Sequence, residues 1–191
     1  AVSLALLLRA TETAGVIDAV AMESATYSAL QAGPEHAAWL AAERARRPAL
    51  DAPRTGDPVA LARHGAELRI TLARPSTRNA VDATMQAALV DALAVAADPD
   101  VRRVVLDGEG PVFSAGGDLA EFGTRPDPAT AHLVRLGRSP GLALHRVAAK
   151  AEVRVHGPCH GAGVELPAFA GRVVADEATT FRLPEVAMGL V

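Results

Sequence analysis

A chain of 191 residues, half of them hydrophobic and 21% charged, has the profile of a globular protein with one good-sized domain, with or without a smaller appendage. A formal charge of −3 with no basic stripe or acidic tail argues against nucleic acid or an anionic membrane as partner, though a local basic cluster could still hold a phosphorylated cofactor. Aromatic residues make up only 3%, so Ala, Val and Leu must build the core, and the lone Cys159 excludes an internal disulfide and fits a reducing, cytoplasmic compartment.

The apolar run at residues 2–8 is too short to span a bilayer and lacks the flanks of a signal peptide. Residues 1–47 read as helical: Leu4, Leu7 and Leu8 share one face, as do Val16, Val20 and Tyr27. Gly33-Pro34 then punctuates, and Pro34 suits the first turn of a helix carrying Trp39 and Leu40. Glu43 and Arg47, four apart on that helix, read as a solvated ion pair. Pro48, Pro53, Gly56 and Pro58 crowd breakers into residues 48–58, which marks a linker ahead of a domain over 59–191.

Residues 59–63 and 67–72 read as a hairpin turning at His64-Gly65. Asp82 can cap a helix with Met85, Leu89, Leu93 and Ala96 on one face. A short buried strand at 103–106 leads into a glycine-bearing loop over 108–117. Residues 129–149 read as one long helix, 153–156 as a strand, 161–170 as a helix and 172–175 as a strand. This rhythm predicts an α/β sheet covered by helices, with loops at strand ends carrying function.

Three segments could carry chemistry. Phe113-Ser114-Ala115-Gly116-Gly117-Asp118-Leu119 runs from a strand through paired glycines to a residue able to cap a helix. Such a junction leaves backbone N–H groups aimed at one spot, where they could hold a phosphate or an oxyanion. It is neither a Walker loop nor a nucleophile elbow, since no Gly-Lys-Ser/Thr follows and Val112 stands where G-x-S-x-G needs glycine. A plain tight turn accounts for it equally well. The second segment, 156–166, again runs from a strand into small residues, Gly161, Ala162 and Gly163, which let a ligand approach the backbone. Glu165 lies there among Val164, Leu166 and Phe169, where a carboxylate is costly unless paired or protonated. A solvent-facing glutamate favoured by the helix dipole is the alternative. His156, Cys159 and His160 have metal-ligand residue types but not the number or spacing of a zinc site, so no metal is expected. In the third segment, Phe181-Arg182-Leu183-Pro184-Glu185, Pro184 can open a helix with Glu185 in its first turn.

From about residue 66 to 191 the chain resembles the crotonase superfamily, and within it the enoyl-CoA hydratases. Leu72-Ala73-Arg74-Pro75 and Arg78-Asn79-Ala80-Val81 resemble the family's opening strand and loop. The segments at 113–119, 161–166 and 181–185 resemble its two oxyanion loops and the stretch bearing its second catalytic carboxylate. The resemblance implies a crotonase-like ββα-type fold, with the helical segment 1–47 outside it and the family's carboxyl-terminal part lying beyond Val191. It implies an oxyanion hole made by the N–H groups of Gly117 and Ala162. It places Glu165 and Glu185, twenty residues apart, on the two catalytic glutamates. Ala115, Gly117, Asp118, Leu119 and Ala120 would line the coenzyme A, with Arg74 or Arg78 as phosphate contacts. The sequence departs from the pattern at Ala162, where glycine is usual, and at Pro167 and Gly171.

The implied activity is addition of water across the 2,3 double bond of an enoyl-CoA thioester, with Glu165 activating the water and Glu185 supplying the proton to Cα. Coenzyme A would enter as part of the substrate, with no other cofactor, and the assembly would be a homotrimer or hexamer. A double-bond isomerase working through one glutamate and a non-catalytic acyl-CoA-binding subunit are the alternatives.

Overall fold

A computed structural model describes residues 1–46 and 56–191. In chain order its elements are helices α1 (Val2–Thr11), α2 (Val16–Gln31) and α3 (Pro34–Arg46), strands β1 (Val59–His64) and β2 (Glu67–Leu72), α4 (Ala83–Val95), β3 (Arg103–Gly108), α5 (Pro128–Gly137), α6 (Pro140–Arg146), β4 (Ala151–Val155), β5 (Pro158–His160), α7 (Ala162–Glu165), β6 (Arg172–Ala175) and β7 (Thr180–Arg182). They group into two compact units. One comprises Ala1–Pro53, Leu119–Gly137 and Pro184–Val191, the other Arg54–Asp118 and Arg138–Leu183. Two later stretches thus join the amino-terminal helices, a grouping that the linear division at residues 48–58 does not contain.

The second unit holds a five-stranded sheet in the order β1-β2-β3-β4-β6, antiparallel between β1 and β2 and parallel elsewhere. Side chains alternate along each strand. Leu68, Ile70 and Leu72 of β2 therefore fall on the same face as Val104, Leu106 and Val153. That face is closed by α4 and α6, through Met85, Leu89, Leu93 and Leu144, all essentially without solvent contact. Each such side chain contributes about 1.5–3 kcal/mol by leaving water. The opposite face carries an ion-pair ladder: Arg69 to Asp107 at 3.1 Å, Arg103 to Glu67 at 2.9 Å, and Arg154 to Glu152 at 2.7 Å. Asp82 caps α4 as expected, accepting from the Met85 N–H at 2.7 Å.

The expected long helix over 129–149 is broken. α5 ends at Gly137, and Ser139 caps a new helix by accepting from the Leu142 N–H at 3.1 Å, with Pro140 at its first position. The helix expected over 161–170 shrinks to the single turn of α7, because Pro167 opens a separate 3-10 turn over Pro167–Phe169. Strands β5 and β7, too short to show periodicity, form their own parallel pair.

In the first unit α2 and α5 are tied by Arg135, which donates to Ser24 Oγ at 3.0 Å and lies over the Tyr27 ring at 4.6 Å. Of the expected apolar face of α1, Leu7 is buried and Leu8 is exposed. Glu43 pairs with Arg46. Its expected partner Arg47, like most of the 48–58 linker, lies outside the described residues. No described helix is long and apolar enough to cross a membrane.

Candidate functional site

The site begins where β2 ends. After a 3-10 turn at Pro75–Thr77 the chain passes through Arg78 and Asn79, both left-handed with φ of 55° and 53°. Asn tolerates that conformation better than most residues. The Asn79 side chain is fully buried. Its Oδ1 accepts from the Arg74 N–H at 2.9 Å, and its Nδ2 donates to the carbonyls of Glu109 (2.8 Å), Val112 (3.1 Å) and Phe113 (3.0 Å). One amide thereby clamps the opening loop to the strand exit from β3. Arg74, expected as a phosphate contact, is buried instead, and its Nη1 donates to Asp82 Oδ2 at 2.6 Å. A guanidinium enclosed and charge-matched in this way frames the loop and presents no cation to a ligand.

The first glycine loop is fastened on both sides. Phe113, wholly buried, anchors its start. Ser114 Oγ donates to the Asn79 carbonyl at 2.8 Å and accepts from the Gly116 N–H at 3.1 Å. The Gly116 carbonyl accepts from the Val81 N–H at 2.8 Å, and the Asp118 N–H donates to the Val81 carbonyl at 3.1 Å. Gly117 sits between these bonds, and among the described residues its own N–H donates to no backbone carbonyl.

The second loop interlocks with the first. The Phe113 N–H donates to the His156 carbonyl at 2.9 Å, and the His160 N–H to the Ser114 carbonyl at 3.3 Å. Glycines make the contact possible. A Cβ on Gly163 would stand 2.3 Å from the Ser114 carbonyl oxygen, and one on Gly116 only 2.6 Å from that of His160 and 3.7 Å from the Ala162 nitrogen. Ala162 begins α7 with no side-chain cap, so its N–H is one of the donors a helix start leaves unclaimed. The two expected oxyanion donors are thus carried by loops in direct contact.

The two glutamates differ in setting. Glu165 is exposed, whereas its apolar neighbours in sequence suggest burial. With α7 only one turn long, Leu166 turns inward and Glu165 outward. Glu185, in the first unit, opens a 3-10 turn over Glu185–Met188 rather than the expected helix, and is half-buried. Desolvation raises its carboxyl above the ordinary value, partly offset by a hydrogen bond from its own backbone N–H.

Beside the loops, a cavity of about 300 Å³ is lined by Arg78, Pro111, Val112, Ala115, Pro158 and His160. Arg78 is exposed and brings a cation to its rim. Of the remaining expected lining residues, Asp118 lies in the same unit, whereas Leu119 and Ala120 belong to the first. His156 Nε2 lies 2.9 Å from the Gly110 carbonyl, and burial raises the Cys159 thiol above its ordinary range. Among the described residues no cluster of His, Cys, Asp and Glu could hold a metal ion. The clamping roles of Asn79 and Ser114 and the close approach at Gly163 are not apparent from sequence. The only signal is an Asn in a loop, tolerant of a left-handed backbone.

Residues 64–191 match the sequence model of a family described as enoyl-CoA hydratase/isomerase. Mevalonyl-coenzyme A hydratase of Beauveria bassiana is 34% identical over 133 residues, covering 65% of this chain and 48% of that protein. Cyclohexa-1,5-dienecarbonyl-CoA hydratase of Thauera aromatica is 36% identical over 135 residues, covering 69% and 50%. A crystal structure of an enoyl-CoA hydratase/carnithine racemase from Magnetospirillum magneticum aligns with a TM-score of 0.64 at 27% identity, covering 72% of this chain and 53% of that one. The chain spans about half the length of the curated relatives it matches.

Proposed function

Since the chain belongs to the enoyl-CoA hydratase/isomerase family, we propose that it binds an enoyl-CoA thioester and adds water across the 2,3 double bond. The observation that carries this reading is the pair of interlocked loops presenting the Gly117 and Ala162 N–H groups without backbone acceptors among the described residues. Two such donors on the thioester oxygen draw electron density from the conjugated double bond and make Cβ electrophilic. They also stabilise the enolate charge that develops as water adds. Glu165 accepts a proton from the attacking water, and Glu185 delivers one to Cα, so one molecule of water is consumed and each carboxyl is reset by proton exchange. The raised affinity of Glu185 for its proton suits the donor role. Arg78 is the cation for a phosphate of coenzyme A, whose remaining contacts fall to Ala115, Gly117, Asp118, Leu119 and Ala120. Coenzyme A then enters with the substrate and no further cofactor is needed. The reading extends to a homotrimer or hexamer, which sedimentation would test.

A second reading has one observation in its favour. Glu185 is half-buried with its carboxyl raised by desolvation, whereas Glu165 is exposed, which suits an isomerase that shuttles a single proton. Incubation with crotonyl-CoA, followed by loss of enoyl-thioester absorbance and mass analysis, separates the readings. A gain of one water supports hydration. A shifted double bond in a longer enoyl-CoA without mass change supports isomerisation, and binding without conversion of either substrate overturns both.

A further inference from the structure

We propose that His36 is a positioning residue for Glu185, through which the amino-terminal helices hold the turn that carries the proton donor. The inference rests on the reading of Glu185 given above and concerns residues of the first unit alone. His36 lies in the first turn of α3, in a segment that the family match at 64–191 does not include. It is 2% exposed, and its Nδ1 stands 3.0 Å from the carbonyl oxygen of Met188, the last residue of the Glu185 turn. A carbonyl only accepts, so the ring carries its proton on Nδ1 and donates it there. Among the described residues Nε2 is buried with no partner. The rest of the ring is packed by aromatics, with the Trp39 centroid at 5.6 Å and Phe122 at 6.4 Å. A buried imidazole with one ring nitrogen unsatisfied is an expensive way to fill space, and its single hydrogen bond is what sets it apart from an apolar ring.

A second contact seats the same turn. Gly189 closes it at φ +74°, and a Cβ there would stand 2.7 Å from the His36 backbone nitrogen and 3.0 Å from Glu35 Cβ. The turn therefore rests directly on the start of α3. The Leu190 N–H then reaches back to the Glu185 carbonyl at 3.0 Å, so the backbone that fixes Glu185 is continuous with the seated segment. Holding a proton donor in place in this way favours the chemical step over substrate binding.

The test compares His36→Phe, which keeps a ring but loses the donor, with His36→Asn, which keeps a donor near the Nδ1 position. Gly189→Ala, strained at φ +74°, pushes the turn off the backbone start of α3 while keeping the His36 imidazole, and Glu185→Gln serves as reference. In full-length proteins that unfold cooperatively, His36→Phe and Gly189→Ala should each lower kcat by roughly 10–10²-fold with KM little changed, and His36→Asn should recover most of the loss. Amide exchange at Gly189 and Leu190 should quicken about tenfold in His36→Phe and return toward wild type in His36→Asn. Wild-type kcat in His36→Phe beside an impaired Glu185→Gln overturns the positioning role alone. A fully active Glu185→Gln overturns the reading of Glu185, and the positioning role with it.

Discussion

Replacing Gly163 by alanine tests the junction on which the site is built. The added methyl would stand 2.3 Å from the Ser114 carbonyl oxygen and 3.2 Å from Ser114 Cβ. Close C···O contacts settle at about 3.3–3.6 Å, so the overlap is roughly 1 Å. The obstacle is backbone and cannot rotate away, because the same carbonyl accepts from the His160 N–H and Ser114 Oγ is fixed to Asn79. The loops must therefore separate. Overpacking of this kind costs about 1–3 kcal/mol, and the rigid partner puts Gly163→Ala near the top of that range. With a urea dependence of about 2 kcal/mol per molar, the midpoint should fall by roughly 1–1.5 M, measured by circular dichroism. A shift of about 1 Å between the Gly117 and Ala162 donors should lower crotonyl-CoA turnover by about 10²-fold. Gly137, where a Cβ meets nothing within 4 Å, is the control, and Gly137→Ala should be neutral or slightly stabilising. A Gly163→Ala protein with wild-type midpoint and wild-type turnover would show that the two loops do not interlock.

Other perturbations separate the remaining parts. Glu165→Gln and Glu185→Gln should each lower kcat by roughly 10²–10⁴-fold with smaller effects on binding, and unimpaired turnover in both would remove the acid–base assignment. Desolvation lifts the Glu185 carboxyl above its ordinary value of 4.5, so its contribution to stability is full below about pH 4.5 and is lost as pH rises through the raised value. The Tm advantage of Glu185→Gln over wild type should accordingly grow across that window, and a pH-independent difference would argue against burial as the cause. Asn79→Ala strands the Arg74 N–H and the carbonyls of Glu109, Val112 and Phe113, and should cost at least about 3 kcal/mol in chemical denaturation. Asn79→Gly, which relieves the left-handed backbone but not the lost bonds, should recover only a small part. Gly117→Pro deletes a donor and should reduce turnover by about 10²–10³-fold in a cooperatively folded protein, whereas Ala162→Gly, which keeps its N–H, should be nearly silent.

What could be read along the chain is what depends on near neighbours. The β1–β2 hairpin turns at Gly65-Ala66, one residue past the expected His64-Gly65 because His64 still pairs with Glu67, and α4 starts where Asp82 can reach the Met85 N–H three residues on. The two glycine loops were visible for the same reason, since strand ends, small residues and helix starts are all local signals. Where the local signals conflicted, the apolar run at 129–149 concealed a break that Gly137 and Ser139-Pro140 had already marked.

Sequence alone thus determined most of the longer elements and the residue types at the loops, because propensity, periodicity and capping act over a few residues. It did not determine the short strands β5 and β7 or the extent of the later helices. Tertiary structure decided which of those residues meet water. Arg74 and Arg78 look alike in sequence, yet Arg74 is enclosed against Asp82 and Arg78 stands at a cavity. Glu165 and Glu185 both look like helix-start carboxylates, yet Glu165 is exposed and Glu185 half-buried, with desolvation raising its carboxyl. His36 meets the Met188 carbonyl 152 positions away, and Gly163 meets Ser114 across two loops. Burial and close approach depend on everything that packs around a group, and no window of sequence contains that neighbourhood.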